Sequence, residues 1–158
     1  MAERLWAPWR VGYTRTEKPP GCIFCEKPKE NRDAENYILF RGQKNFVIMN
    51  LYPYNPGHLM VVPFRHIGSL EDMETEERNE HYLIVSRAVG VLRKEAQTEN
   101  FNVGMNLGRV SGAGIADHVH SHIVPRWNGD NNFMPVIGDT RVVSESMDAV
   151  YNKLKGKF

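Results

Sequence analysis

The sequence predicts an α+β domain: an antiparallel sheet of about five short strands, one long helix laid across it, and a short C-terminal helix. Three observations carry this expectation. Short apolar, β-favouring runs recur along the chain between turn residues. One stretch in the middle switches to a spacing of three and four. Strands precede that stretch and follow it, without the regular strand–helix alternation of a parallel sheet.

The elements follow in order. Residues 1–18 form an aromatic and basic arm, and its Trp6, Trp9 and Tyr13 predict packing on the body or on a partner subunit. EKPKENRDAEN (26–36) is polar and turn-rich, a surface loop. YILFR and NFVIMN are two strands of a hairpin closed through GQKN. LYPYNPG is turn chemistry, and HLMVVPF is a third strand ending at Pro63. From about Glu71 to Glu99, Tyr82, Val85, Val89, Leu92 and Ala96 recur at helical spacing, behind an acidic start suited to the helix dipole. FNVGMN is a strand, RVSGAG a Gly-rich loop, and DHVHSHIVP a strand that Pro125 terminates. FMPVIG continues in extended form, and SESMDAVYNKL is a helix starting near Ser144.

With 158 residues, 41% hydrophobic and 25% charged, the chain has the size and composition of one globular domain, 1–158. A formal charge of +1 draws it neither to nucleic acid polymers nor to membranes, while a few local cations suffice for a small anion. No stretch reaches the roughly 18 apolar residues of a membrane span. MAERLWAPWR also lacks the apolar segment of a secretory leader, so the expected compartment is the cytoplasm.

The two cysteines, Cys22 and Cys25 in GCIFC, are too few and too close for a disulfide framework. They read as a redox dithiol or as half of a metal site. A redox pair normally opens a helix, and Pro28 with the polar run after it predicts none.

HVHSHIVPRW (118–127) holds three of the chain's six histidines. In a strand His118, His120 and His122 point to one face, roughly 6.5–7 Å apart. Chance placement on a polar face, a metal wall and nucleophilic catalysis all compete for such a row. Upstream, NLGRVSGAGIAD is a loop whose backbone amides can approach phosphate oxygens. An anion beside a nucleophilic imidazole favours phosphoryl or nucleotidyl transfer.

This His-x-His-x-His, followed by two apolar residues and Pro-Arg, resembles the signature of the histidine triad (HIT) family of nucleotide hydrolases and transferases. FVIMNLYPYNPGHLMVVPFRH resembles the family's earlier segment, so the likeness spans roughly 20–127, with 128–158 adding the C-terminal strand and helix. RLWAPWR and PRWNGDNNF resemble the branch that includes bacterial diadenosine tetraphosphate phosphorylases.

The resemblance implies a HIT-like fold and assigns roles by position. His120 attacks the α-phosphorus of a nucleotide and carries a covalent nucleotidyl group. His122 contacts a phosphate or bridging oxygen and helps protonate the leaving group. Asn50 binds ribose hydroxyls, His58 lies near the catalytic cluster, and Asn106 orients phosphate, beside the loop residues Ser111, Gly112 and Gly114. In zinc-bearing members two cysteines join two histidines, which implies structural Zn²⁺ on Cys22, Cys25, His66 and His118. His118 then belongs both to the catalytic row and to the metal. The implied partners are a small purine nucleotide, a diadenosine polyphosphate or a nucleoside phosphoramidate, and a second subunit that continues the sheet in a homodimer.

Two positions depart from the family pattern. Ile115 stands where Ser or Thr is frequent, and Ser121 where an apolar residue is preferred, on the face away from the site. Among the remaining candidates, Arg126 reaches phosphate or pairs with a carboxylate, and Trp127 and Phe133 border the base or stabilise a dimer, packing being the commoner role of an aromatic near a strand end. Phe46, Ile48 and Leu51 are candidates to sandwich a purine, with a core role for Phe46 standing equally open. His81 is expected at the surface or half-buried, and Arg65 and Lys94 as solvated charges. Against the enzyme stand an AMP-binding sensing module with little turnover, and a zinc-storage or metal-sensor protein that uses all three histidines.

Overall fold

The computed structural model describes residues 21–130 and 144–158. The expected N-terminal arm and the extended FMPVIG segment, with Phe133, lie outside the described residues. After Cys22 the chain makes three short turns of helix: α1 (Ile23–Glu26), a 3-10 turn (Lys27–Glu30) and α2 (Asp33–Asn36). The expected irregular loop over 26–36 is thus ordered locally. Pro28 sits at the start of the 3-10 turn, where its missing N–H costs no bond, and Arg32 pairs with both Glu30 and Glu35.

Five strands follow as β1 (Ile38–Arg41), β2 (Asn45–Met49), β3 (Leu59–Pro63), β4 (Asn100–Met105) and β5 (Ser121–Arg126). They form one antiparallel sheet in the order β1-β2-β3-β5-β4. The expected hairpin and the strands at 59–63 and 100–105 are all present.

The histidine segment differs from expectation. Pairing starts at Ser121, not at Asp117, because the preceding residues bond elsewhere: Val119 N–H donates to the Ile67 carbonyl. Nor does Pro125 end the strand, since it pairs opposite Phe101 and β5 runs on to Arg126. The β3 ladder has already stopped at Leu59↔Ile123, and the Pro125 carbonyl accepts from the Asn55 side chain on that side. The missing N–H therefore removes no ladder bond.

Helix α3 (Thr75–Glu95) begins at a capping box, in which Glu74 and Glu77 satisfy each other's backbone amides. It ends before Gln97, which takes the left-handed conformation at φ 51°. The buried stripe is Glu77, His81, Ile84, Val85, Ala88 and Leu92; of the expected row, Val85 and Leu92 lie on it and Val89 packs beside it, while Tyr82 is exposed. Counting apolar residues misplaces the stripe by part of a turn, because two buried positions on it are polar and satisfied by partners.

The sheet is buried on both faces at its centre. Val47, Met49, Leu59, Val61 and Ile123 pack on Ile84, Val85, Ala88 and Leu92 of α3 and on Val150 and Leu154 of α4 (Met147–Leu154). Phe46, Ile48, Met60 and Val62 face the other way, onto Phe24 and Ile38. The segment carrying the cysteines thus covers the sheet face that α3 leaves open. Alternation in β2 and β3 divides these two cores, as a period of two requires. Ser146 caps α4, accepting from Ala149 N–H, two residues after the expected start.

Candidate active site

Three elements converge below Phe24. Cys22 and Cys25 flank the first residues of α1, His66 follows β3, and His118 precedes β5. The His118 Nδ1 lies 3.2 Å from Cys22 Sγ, 3.6 Å from Cys25 Sγ and 3.3 Å from His66 Nδ1. Cys25 Sγ is 3.4 Å from His66 Nδ1. Tetrahedral Zn²⁺, with bonds of roughly 2.0–2.3 Å, requires ligand atoms roughly 3.3–3.8 Å apart, so this donor set fits one metal ion. The other nitrogen of His118 donates to the Pro63 carbonyl at 2.8 Å, which leaves Nδ1 with its lone pair toward the cluster.

Burial holds His118 down at about 4. Burial and the adjacent Cys22 push the Cys25 thiol up to about 11. Metal binding must therefore displace a proton from Cys25. A helical turn does open after Cys22, contrary to expectation, but it lasts only four residues.

The other two imidazoles of the row take different orientations. His120 Nδ1 lies 2.8 Å from the His118 carbonyl, and a carbonyl only accepts, so Nδ1 carries the proton. Nε2 is left as a lone pair with no hydrogen bond among the described residues. Every buried side-chain nitrogen and oxygen described has a partner, so this unpartnered Nε2 must be open to solvent. Burial lowers the His120 pKa, and the bond to His118 opposes the shift. Neutral imidazole is its resting form.

His122 is fixed through a relay. The Tyr54 amide donates to His58 Nδ1 at 3.1 Å, which leaves the neutral His58 proton on Nε2. That Nε2 donates to His122 Nδ1 at 2.9 Å, so neutral His122 carries its own proton on Nε2. Burial, with His120 nearby, pushes His122 down to about 4. The rings of His120 and His122 meet edge to face at 4.8 Å. One thus offers a lone pair and its neighbour an N–H, on one wall.

His122 lines an open cleft of about 560 Å³ with Tyr54, Asn102, Gly104, Asn106, Ser111 and Gly112. Asn106, Ser111 and Gly112, expected from the sequence to contact nucleotide, are thus among its lining. Two loop donors are already engaged, however: Ser111 Oγ donates to the Gly108 carbonyl and Gly112 N–H to that of Arg109. Gly114, Asn50, His58 and His120 do not line this cleft. Asn50 accepts from Tyr52 N–H, and His58 is buried behind Tyr54, whose ring stacks on it at 4.8 Å. Ile115 packs, half-buried, against the apolar cluster that contains Phe24 and Met60, a setting unsuited to a hydroxyl.

Several expectations fail on burial or pairing. Phe46 and Ile48 are core residues and cannot sandwich a base, and only Leu51 is exposed. Arg126 grips Asp130 through Nε and Nη2 and donates to Asn102 through Nη1, so the carboxylate pairing is present, and Arg126 also lines the cleft. Trp127 donates to the Ala96 carbonyl, away from the cleft. Arg65 pairs with the buried Glu77, whereas Lys94 is exposed as expected. His81 is fully buried, bonded to Asn45 and to Ser121. Sequence reasoning missed Tyr54, Asn55 and Asn102. The first two sit in LYPYNPG, whose turn residues masked any further role.

Comparison with known proteins agrees with this geometry. The sequence matches the HIT domain over residues 31–129. It is 39% identical over 152 residues to the AP-4-A phosphorylase of Mycobacterium tuberculosis, covering 90% of this chain and 77% of that one. It is 30% identical to an uncharacterized HIT-like protein of Methanocaldococcus jannaschii, over 85% of this chain and 99% of that one. A Zn-bound histidine triad family protein from Mycobacterium smegmatis superposes with a TM-score of 0.70 at 22% identity, covering 87% and 92% of the two chains. A hypothetical histidine triad nucleotide-binding protein from Sulfolobus tokodaii does so at 0.67 and 25% identity, covering 86% and 88%. Fold, histidine row and sequence agree, and the chain belongs to the HIT domain family.

Proposed function

We propose that this protein is an enzyme that cleaves a purine nucleotide, by preference a diadenosine polyphosphate, at its α-phosphate through a nucleotidyl-histidine intermediate. The observation that carries the reading is the solvent-open, unprotonated Nε2 of His120 beside the N–H of His122. Nε2 attacks the α-phosphorus, a P–N bond forms, and the P–O bond to the leaving phosphate breaks with its electron pair on oxygen. His122 stabilises that oxygen with a hydrogen bond from its Nε2–H, keeping its proton. Water or inorganic phosphate then attacks phosphorus and releases His120. Asn106, with Ser111 and Gly112, lines the cleft where the phosphates would lie. Asn50 and His58 serve from outside the cleft lining, His58 through His122.

The relatives named as an AP-4-A phosphorylase and as a bis(5'-adenosyl)-triphosphatase support this substrate class. Cys22, Cys25, His66 and His118 would hold structural Zn²⁺, which supplies a neutral cross-link when bound and leaves His120 to the chemistry. Leaving His120 and His122 out of the ligand set speaks against a metal-storage role. The open edge of β4, with Asn102, Val103 and Gly104 exposed, suits a homodimer that continues the sheet. Among the described residues no helix is long and apolar enough to cross a membrane, and a cytoplasmic site of action remains part of this proposal.

Rapid quench with α-labelled diadenosine tetraphosphate tests the reading. Label is expected on the wild type and absent from His120→Ala, and equal turnover by the two would refute it. ADP formed only when phosphate is supplied identifies a phosphorylase. Tight AMP binding without turnover would instead favour the sensing module, a reading to which the apolar setting of Ile115 lends some weight.

A further inference from the structure

The nucleophile proposed above stands just outside the sheet. Ser121 is the first residue of β5 and is paired on both sides, opposite Val61 and Met105, and His120 pairs with neither strand. Its place depends on what fixes Ser121. Behind the sheet, on the face opposite the cleft, lies a chain of polar groups that the reaction does not use. Asn45 Nδ2 donates to the Glu77 carbonyl and to Glu80 Oε2, which turns its Oδ1 toward His81. His81 Nδ1–H donates to that Oδ1 at 2.8 Å, so Nε2 is the acceptor for Ser121 Oγ–H at 2.7 Å.

Asn45 and His81 are fully buried and Ser121 is 3% exposed. Apolar residues of similar shape at these places would give an equally stable or more stable core. The polar chain does what an apolar contact cannot: it fixes one strand position in direction and in register, linking β2, α3 and β5.

We infer that His81 and Ser121 are positioning residues, which through their hydrogen bond hold the backbone between His120 and His122 so that the two imidazoles keep their spacing. The inference rests on the functional reading above. Its action runs from Asn45 through His81 and Ser121 to the peptide on which His120 is mounted.

Ser121→Thr and Ser121→Val test it, since both add similar bulk and only Thr keeps the hydroxyl. With diadenosine tetraphosphate, Ser121→Val is expected to lower kcat about tenfold with KM within about twofold, and Ser121→Thr to stay within about twofold of wild type in both. Imidazole ¹⁵N spectra should show His120 as one Nδ1–H tautomer in the wild type and in Ser121→Thr, and as a mixture in Ser121→Val. Equal kcat for the two variants, or a single tautomer in both, would overturn the inference. Where Ser121→Val does not fold, Ser121→Ala is measured in its place with the same expectation. A wild type that turns over no dinucleoside polyphosphate defeats the functional reading alone, and the tautomer comparison still decides the positioning.

Discussion

Replacing His81 by Gln should change how stability depends on pH, with a sign that the structure fixes. Burial pushes His81 from 6.5 down to about 4, against the pull of Glu77 and Glu80 and with the help of His120. Its other neighbours, Asn45 and Ser121, do not titrate in this range. In the unfolded chain the imidazole takes up a proton as pH falls through about 6.5, while the folded protein resists until about 4. Protons therefore favour unfolding across that window, and stability present above it is lost as pH falls. At about 1.4 kcal/mol per unit the full loss approaches about 3 kcal/mol, of which roughly 2.5 has gone by pH about 4.5.

His81→Gln should be less stable than wild type by about 1–2 kcal/mol near neutrality, since one or both buried hydrogen bonds are weakened. In acid that gap should close and reverse, because Gln takes up no proton. Urea unfolding of both proteins from pH about 7.5 to about 4.5 measures the difference, and contributions from His118 and His122 cancel in it. Parallel stability curves would show that His81 is not held neutral, and the reasoning would fail.

Two further outcomes follow from the same coordinates. Cys22→Ser should lose the single metal equivalent by elemental analysis, and with it the roughly 4 kcal/mol that a ligand at about 1,000 times its Kd contributes; full retention of metal would refute the four-ligand assignment. Gly57→Ala should cost about 1–3 kcal/mol in chemical denaturation, because φ is +80° and a Cβ there would stand 3.3 Å from both Leu92 Cδ2 and Pro125 Cγ; an unchanged midpoint would refute it.

The elements built on repetitive hydrophobic patterns were legible in the sequence: β1 to β4, the long helix and the terminal one. So were the clustering of Cys22, Cys25, His66 and His118 and the histidine row, because few patterns place such residue types at such spacing. What escaped depended on partners far away in the chain. Ser121 looked like a packing substitution and His81 like a surface or half-buried residue, yet each is explained only by the other, 40 positions apart. Arg126 could not be assigned until Asp130 was seen to hold it. Strand limits erred at β5 because residues 118 and 119 bond to the end of β3 and to the segment after it, a competition that no local propensity encodes. Phe46 and Ile48 failed as base-stacking candidates because a strand buried on both faces leaves no side for a ligand.

The mounting of His120 has a consequence for how attack is organised. On one side, Val119 and His118 are tied to Ile67 and Pro63, and on the other Ser121 is woven into the sheet. A single residue bridges these two fixed ends, so its main chain has almost nowhere to travel and only torsion of the side chain remains. In the proposed reaction, the orientational entropy of bringing nitrogen to phosphorus is thus largely surrendered when the polypeptide folds, before any nucleotide arrives.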